Sequence, residues 1–245
     1  MPATPAWPPK SLPRLLVRTP LAAGVSVELG SGQSNYLNNV MRLREGDEVL
    51  LFDGSSGEWL ARIARSGKRH MVLAVAHQSR EQEAVPDLWL AFAPVKRAQT
   101  DWLVEKATEL GIARLLPVIT RRTIVERVKL ERLEAIAVEA AEQCNRTTVP
   151  AIDEPQSLGS FLKMHSGRTL YFADERGGEA AATAFRPGPA TILVGPEGGF
   201  TEDERAKIRG EPDATAISLG PRILRAETAA LAAVTTWMAL AGDWR

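Results

Sequence analysis

Two glycine-rich turns near the C-terminal end hold the residues best suited to chemistry. The first is Leu193-Val194-Gly195-Pro196-Glu197-Gly198-Gly199-Phe200; the second is Leu219-Gly220-Pro221-Arg222-Ile223-Leu224-Arg225-Ala226-Glu227-Thr228. Each follows a short apolar run, Ala190 to Val194 and Ala214 to Leu219, and precedes a helical pattern. That places them at the carboxyl ends of strands, where open α/β sheets hold their ligands. Glycine lets a ligand approach the main chain closely, so two such loops from neighbouring strands build one pocket of backbone amides and carbonyls. Either turn alone reads equally well as an ordinary strand-to-helix connection. The pair, with a proline in each and an Arg-x-Glu behind the second, argues for a ligand.

Several chemistries are excluded by what these turns lack. A phosphate loop needs Gly-Lys-Ser/Thr, and a dinucleotide fingerprint needs Gly-x-Gly-x-x-Gly; neither is present. His70, His77 and His165 are scattered and no His/Cys/Asp cluster has metal-ligand spacing, so no metal is expected. No histidine lies near a nucleophile elbow. A pocket of backbone groups with a glutamate and an arginine suits an adenosine-bearing cofactor that brings its own reactive group.

The elements that must position these turns divide the chain. Residues 14–76 read mostly as short strands broken by Gly/Asp/Ser turns such as Asp53 to Gly57, the pattern of a small β-barrel. One short helix interrupts it, from about Asn35 to Leu43, with Ser34 as N-cap. The polar stretch His77 to Asp87, with Pro86, contains the linker, set at 80–87. Beyond it strands and helices alternate. Leu88 to Ala93 is a strand, Thr100 caps a helix to Leu110, Gly111 stops it, and Leu115 to Ile119 is the next strand. The helix Leu130 to Asn145 carries an apolar stripe of Leu130, Leu133, Ile136, Ala137, Ala140, Ala141 and Cys144. Thr169 to Ala173 adds a strand, and Thr201 with Glu204 forms a capping box. This alternation predicts an α/β domain with a largely parallel sheet covered on both faces. The last helix, Arg225 to Leu240, has almost no polar face, so it is buried inside the domain or against a second subunit.

Composition narrows the setting. At 44% apolar and 24% charged, the 245 residues have a soluble, globular balance. The single cysteine, Cys144, excludes an internal disulfide and suits a reducing compartment. Residues 1–13 are proline-rich without the apolar core of a signal peptide, and Ala226 to Ala241 is too short for a bilayer span. A cytoplasmic protein is expected. Zero net charge argues against indiscriminate nucleic-acid coating, but residues 1–80 hold ten Lys/Arg against six Asp/Glu, and the rest twenty against twenty-four. A basic N-terminal module that docks on phosphates fits that asymmetry.

Five segments carry a resemblance to a known family. They are Asn35 to Arg42, Glu105 to Gly111, Glu139 to Arg146, Gly195 to Phe200 and Leu219 to Thr228, in order along nearly the whole chain from about Pro13. Together they resemble the RsmE family, SPOUT-class methyltransferases that modify N3 of a uridine in 16S, small-subunit ribosomal RNA. The resemblance implies a flexible leader at 1–13, a PUA-like RNA-binding β-barrel at 14–79, and a SPOUT domain at 88–245 with a trefoil knot. It also implies S-adenosylmethionine (SAM) bound in the knot, a homodimer with its interface beside the cofactor, and ribosomal RNA or the assembled small subunit as partner. Asn35 stands where the family often has histidine, and Lys96-Arg97-Ala98 fits the family's basic turn only loosely.

The resemblance also assigns residues. SAM is expected on Phe172, Ala173, Val194, Gly195, Pro196, Gly198, Gly199, Leu219, Gly220, Pro221, Ile223, Leu224 and Arg225. Methylation of N3 needs the imide proton removed, for which Glu197 and Glu227 are the nearest carboxylates, although either also suits capping or pairing. Arg225 is placed to stabilise a developing oxyanion or to orient the base. No covalent intermediate is needed, so Cys144 is expected as a buried structural thiol. Arg14, Arg42, Lys96, Arg97, Arg121, Arg122 and Arg146 form the expected RNA track. The competing class, a non-catalytic RNA-binding protein using its α/β domain for dimerisation, is disfavoured by the intact glycines of both loops.

Overall fold

A computed structural model describes residues 12–67, 70–125, 127–165 and 167–244. The leader expected at 1–13 therefore lies outside the described residues except for its last two. The chain forms two compact units, one running to Glu83 and including Asn145–Thr148, the other made of Ala84–Cys144 and Val149–Arg245.

The first unit contains β1 (Arg14–Leu16), β2 (Ser26–Leu29), α1 (Ser31–Asn35), a π-helical turn (Tyr36–Val40), β3 (Glu48–Phe52), β4 (Glu58–Ser66) and β5 (Met71–Arg80). Its five strands are ordered β1-β3-β4-β5-β2, antiparallel except for the β1–β3 pair. Alternate residues point inward, so Val27, Leu29, Val49, Leu51, Ala61, Ile63, Leu73 and Val75 form one apolar core with Leu37. β5 runs to Arg80, four residues past its apolar stretch. The expected helix starts earlier, at Ser31, with Gly30 as N-cap. Ser34 is not a cap: it is buried and its hydroxyl donates to the Leu29 carbonyl, the bond a buried Ser needs.

Four residues from far along the chain, Asn145–Thr148, belong to this first unit and bond to it through polar groups. Arg14 is buried beside Glu58 (Nε to Oε2, 2.7 Å) with its guanidinium over the Phe52 ring, and it donates to the Arg146 carbonyl at 2.7 Å. Glu83 accepts from the Thr147 and Thr148 amides, each at 2.9 Å, and pairs with Arg146. Arg14 and Arg146 were expected on an RNA track. At 7% and 6% exposure they serve instead as buried structural charges; a buried charge stays in place only when paired and hydrogen-bonded.

In the second unit the elements are β6 (Leu88–Phe92), α2 (Arg97–Glu109), β7 (Arg114–Ile119), α3 (Leu130–Gln143), β8 (Ala151–Ile152), β9 (Gln156–Ser157) and α4 (Leu158–Met164). Then follow β10 (Thr169–Ala173), β11 (Glu179–Ala180), α5 (Ala181–Ala184), β12 (Ala190–Val194), α6 (Glu202–Arg209), β13 (Ala214–Ser218) and α7 (Ala226–Leu240). The strand order is β11-β13-β10-β12-β6-β7-β8, with β9 also on β7, and the pairs are parallel. Because side chains alternate along a strand, Leu90, Phe92, Ile192 and Val194 pack on one face with α2, α3 and α7. Ala91, Leu193, Leu170 and Phe172 pack on the other with α4 and α6. The sheet is covered on both faces, as its run of fully buried β12 residues requires.

Two local readings change and one holds. α2 begins at Arg97 rather than at Thr100, whose hydroxyl instead exchanges hydrogen bonds with the Val95 amide and carbonyl and so braces the chain entering the helix. Gly111 does stop it, at φ +95°. Cys144 is half-buried at the C-cap of α3, not a core thiol.

Candidate active site

The two glycine turns follow β12 and β13, which are not neighbours: β10 lies between them and pairs with both. The site is therefore built by three loops at the carboxyl edge, and the loop after β10 is its middle wall. Ala173-Asp174-Glu175-Arg176-Gly177 of that loop, the loop after β12 and the loop after β13 surround a cavity of about 870 Å³, in the range of ligand pockets. Lys96 and Gln99 at the start of α2, and Ala226 and Ala229 on α7, complete it.

Of the residues expected to hold a cofactor, Ala173, Val194, Gly195, Pro196, Gly198, Gly199, Leu219, Gly220, Pro221, Ile223, Leu224 and Arg225 line this cavity. Phe172 does not; its buried ring packs edge-on against Phe200 and under Arg209, in the core below. Ile223 is 89% exposed, an apolar side chain held out where three loops meet. α7 begins with Arg225 as N-cap and no side-chain cap, so its first-turn amides have no partner within the helix. Apolar side chains, open backbone and uncapped amides fit a large, partly apolar nucleoside ligand.

Glu197 and Arg225 are exposed and line the cavity, whereas Glu227 is buried and does not. Glu227 Oε2 has no hydrogen-bond partner among the described residues. Of the expected RNA residues, Arg42, Lys96, Arg97, Arg121 and Arg122 are exposed. Arg42 sits just after the π-helical turn in the left-handed region, at φ +58°. Arg122 has a further partner, donating through Nη1 to the Gly198 carbonyl at 2.6 Å.

The middle loop escaped the sequence reading beyond Ala173, although its signal was there: a strand followed by Asp-Glu-Arg-Gly-Gly. Asp174 is buried and pairs with Arg205 and Arg209 of α6, each at 2.7 Å; Glu175 accepts from Arg205 Nη2 at 2.7 Å. The capping box of α6 is present as expected, and Glu204 does more than cap. It also accepts the Arg121 amide at 2.8 Å, tying the loop after β7 to the site. Burial opposes its charge, but bonds from the Thr201 and Arg121 amides and the Thr201 hydroxyl outweigh that and hold its pKa below the ordinary carboxylate value. No metal-binding group of acidic, His and Cys residues occurs among the described residues.

The fold that carries this site is that of RNA methyltransferases. The RNA methyltransferase domain family matches residues 81–238, and the RNA methyltransferase PUA domain family matches residues 29–75. Ribosomal RNA small subunit methyltransferase E of Rickettsia conorii is 34% identical over 226 residues, covering 90% of this chain and 93% of that protein. Its Bacillus subtilis counterpart is 30% identical, covering 82% and 85%. A Neisseria gonorrhoeae ribosomal RNA small subunit methyltransferase E, solved bound to S-adenosyl methionine, superposes with a TM-score of 0.88. It is 31% identical, and the match covers 96% of this chain and 100% of that one. The chain belongs to the ribosomal RNA small subunit methyltransferase E family, and its fold is the expected SPOUT-type α/β domain with a PUA-like domain N-terminal to it.

Proposed function

We propose that the chain is a SAM-dependent methyltransferase that modifies N3 of a uridine in small-subunit ribosomal RNA. The observation that carries this reading is the convergence of three loops on one cavity at the carboxyl edge of the parallel sheet. Ala173, Val194, Gly195, Pro196, Gly198, Gly199, Leu219, Gly220, Pro221, Ile223 and Leu224 hold the cofactor. When bound, SAM supplies an electrophilic methyl group on a sulfonium.

The side chains do the rest. Arg225, exposed at the cavity wall, orients the uracil and stabilises charge that develops on its oxygens when N3 loses its proton. Glu197, the exposed carboxylate of the same cavity, takes that proton. Exposed Arg42, Lys96, Arg97 and Arg121 meet phosphates, which position RNA without reading its sequence. In this reading the unit that runs to Glu83 and takes in Asn145–Thr148 is the RNA-binding barrel, wider than residues 14–79, and the unit of Ala84–Cys144 and Val149–Arg245 is the catalytic domain. The protein works in the cytoplasm as a homodimer on ribosomal RNA or the assembled small subunit; no helix among the described residues is long and apolar enough to cross a membrane.

The test is direct. Cells lacking the protein lose N3-methyluridine from small-subunit ribosomal RNA, and the purified protein with SAM restores it, as read by mass spectrometry of nuclease digests. Methyl found on C5 or on a ribose instead refutes the assignment.

A further inference from the structure

The loop after β12 is gripped from two sides. On one side Arg122, from the loop after β7, donates Nη1 to the Gly198 carbonyl at 2.6 Å. Its methylenes lie so close that a Cβ on Gly198 would meet Cδ at 3.3 Å and Cβ at 3.4 Å. On the other side the Glu175 carboxylate, from the loop after β10, occupies the space a Cβ on Gly199 would need, 2.6 Å from Oε1. Glu175 is itself held by Arg205, which also bonds buried Asp174 and reaches the Phe200 carbonyl at 3.4 Å. Thus each wall of the loop is a charged side chain fixed to a different strand end.

We propose that Arg122 and Glu175 are positioning residues that clamp Gly198-Gly199 in the shape that receives the cofactor. This takes Arg122 off the RNA track and gives a role to Glu175. The inference rests on the cofactor reading above. The clamp has a physical rationale: the loop has four residues between Gly195 and Phe200, and among the described residues one internal backbone bond, Gly199 amide to Pro196 carbonyl at 2.8 Å, closes it. A charged donor on a backbone carbonyl is among the stronger single hydrogen bonds. Without it, the cavity wall must be ordered at the moment of binding, which lowers affinity.

Neighbouring arginines provide the test. Arg121 and Arg122 are both exposed, but only Arg122 reaches the glycine loop through its side chain; Arg121 is tied by its amide, which any residue retains. Arg122→Ala and Arg121→Ala are compared for SAM affinity by calorimetry, RNA affinity across a salt series, and amide hydrogen exchange. The expected result is opposite phenotypes. Arg122→Ala weakens SAM binding about tenfold or more, speeds exchange of the Gly198 to Phe200 amides, and leaves the salt slope of RNA binding unchanged. Arg121→Ala leaves SAM binding alone and lowers the salt slope by about one. Glu175→Gln, which keeps the volume and loses the charge, weakens SAM binding in the same direction as Arg122→Ala. The clamp is overturned if Arg122→Ala binds SAM like the wild type and lowers the salt slope as Arg121→Ala does. Should the wild type itself fail to bind SAM, the cofactor reading falls, and unchanged exchange at 198–200 in Arg122→Ala would then dispose of the clamp separately.

Discussion

The glycines around the cavity are required for different reasons, and the difference decides what substitution does. Gly195 has the buried Phe200 ring 3.0–3.2 Å from where its Cβ would stand, so any side chain there disturbs the core as well as the site. Gly199 combines φ +66° with the Glu175 carboxylate at 2.6 Å. Gly220 has φ +107° and nothing within 4 Å, so its side-chain position is open space. Gly220→Leu is therefore the cleaner probe: the strain, about 1–3 kcal/mol, falls on an exposed loop, and the fold survives while SAM binding is lost. Normal SAM affinity in a folded Gly220→Leu protein would refute the pocket. At this scale the sequence was most informative where spacing carried the signal, as in the two glycine turns. It misled where partners are remote. Arg14 looks like any surface arginine until Glu58, forty-four positions away, and the Arg146 carbonyl take it inside.

Among the elements, α7 shows most clearly how a pattern can be right and its meaning open. Its apolar residues allowed burial inside the domain or against a second subunit. Trp237 and Met238 are 1% and 0% exposed within the single chain, where α7 packs on α2, α5, β6 and β12. Replacing Trp237 or Met238 with a charged residue therefore unfolds the domain instead of releasing subunits: loss of a buried Trp alone costs about 3–5 kcal/mol, and a buried unpaired charge adds to that. Circular dichroism of Trp237→Glu checks this; a folded monomer would contradict it. Periodicity gave most strands and helices to within a few residues because burial on one or both faces writes itself into the sequence. The π-helical turn at Tyr36–Val40 and the placing of β10 between the two glycine strands left no such trace. The place of β10 is set by which strands pair, a choice made across the whole sheet.

On the scale of the molecule, assembly is the property most open to measurement. With Trp237 and Met238 internal, an interface must come from other apolar residues, and Trp102, Ile124 and Ile223 of the second unit are 44%, 68% and 89% exposed. Exposed apolar surface of this kind marks interaction sites when contiguous. Sedimentation equilibrium is expected to give twice the 26.6 kDa chain mass, and a monomer at micromolar concentration would remove the homodimer. The first unit carries a different consequence. That unit includes Asn145–Thr148, whose groups accept from Arg14 and Arg80 and bond Glu83. During synthesis the last of those residues, Thr148, emerges 65 positions after Glu83, about 3–13 seconds at ribosomal rates of roughly 5–20 residues per second. Throughout that interval the Arg14 guanidinium lacks one of its acceptors, so the barrel, though made first, is finished only after the chain has passed α3. The barrel, begun first, is thus completed from within the other unit's stretch of chain, which itself runs on to Arg245.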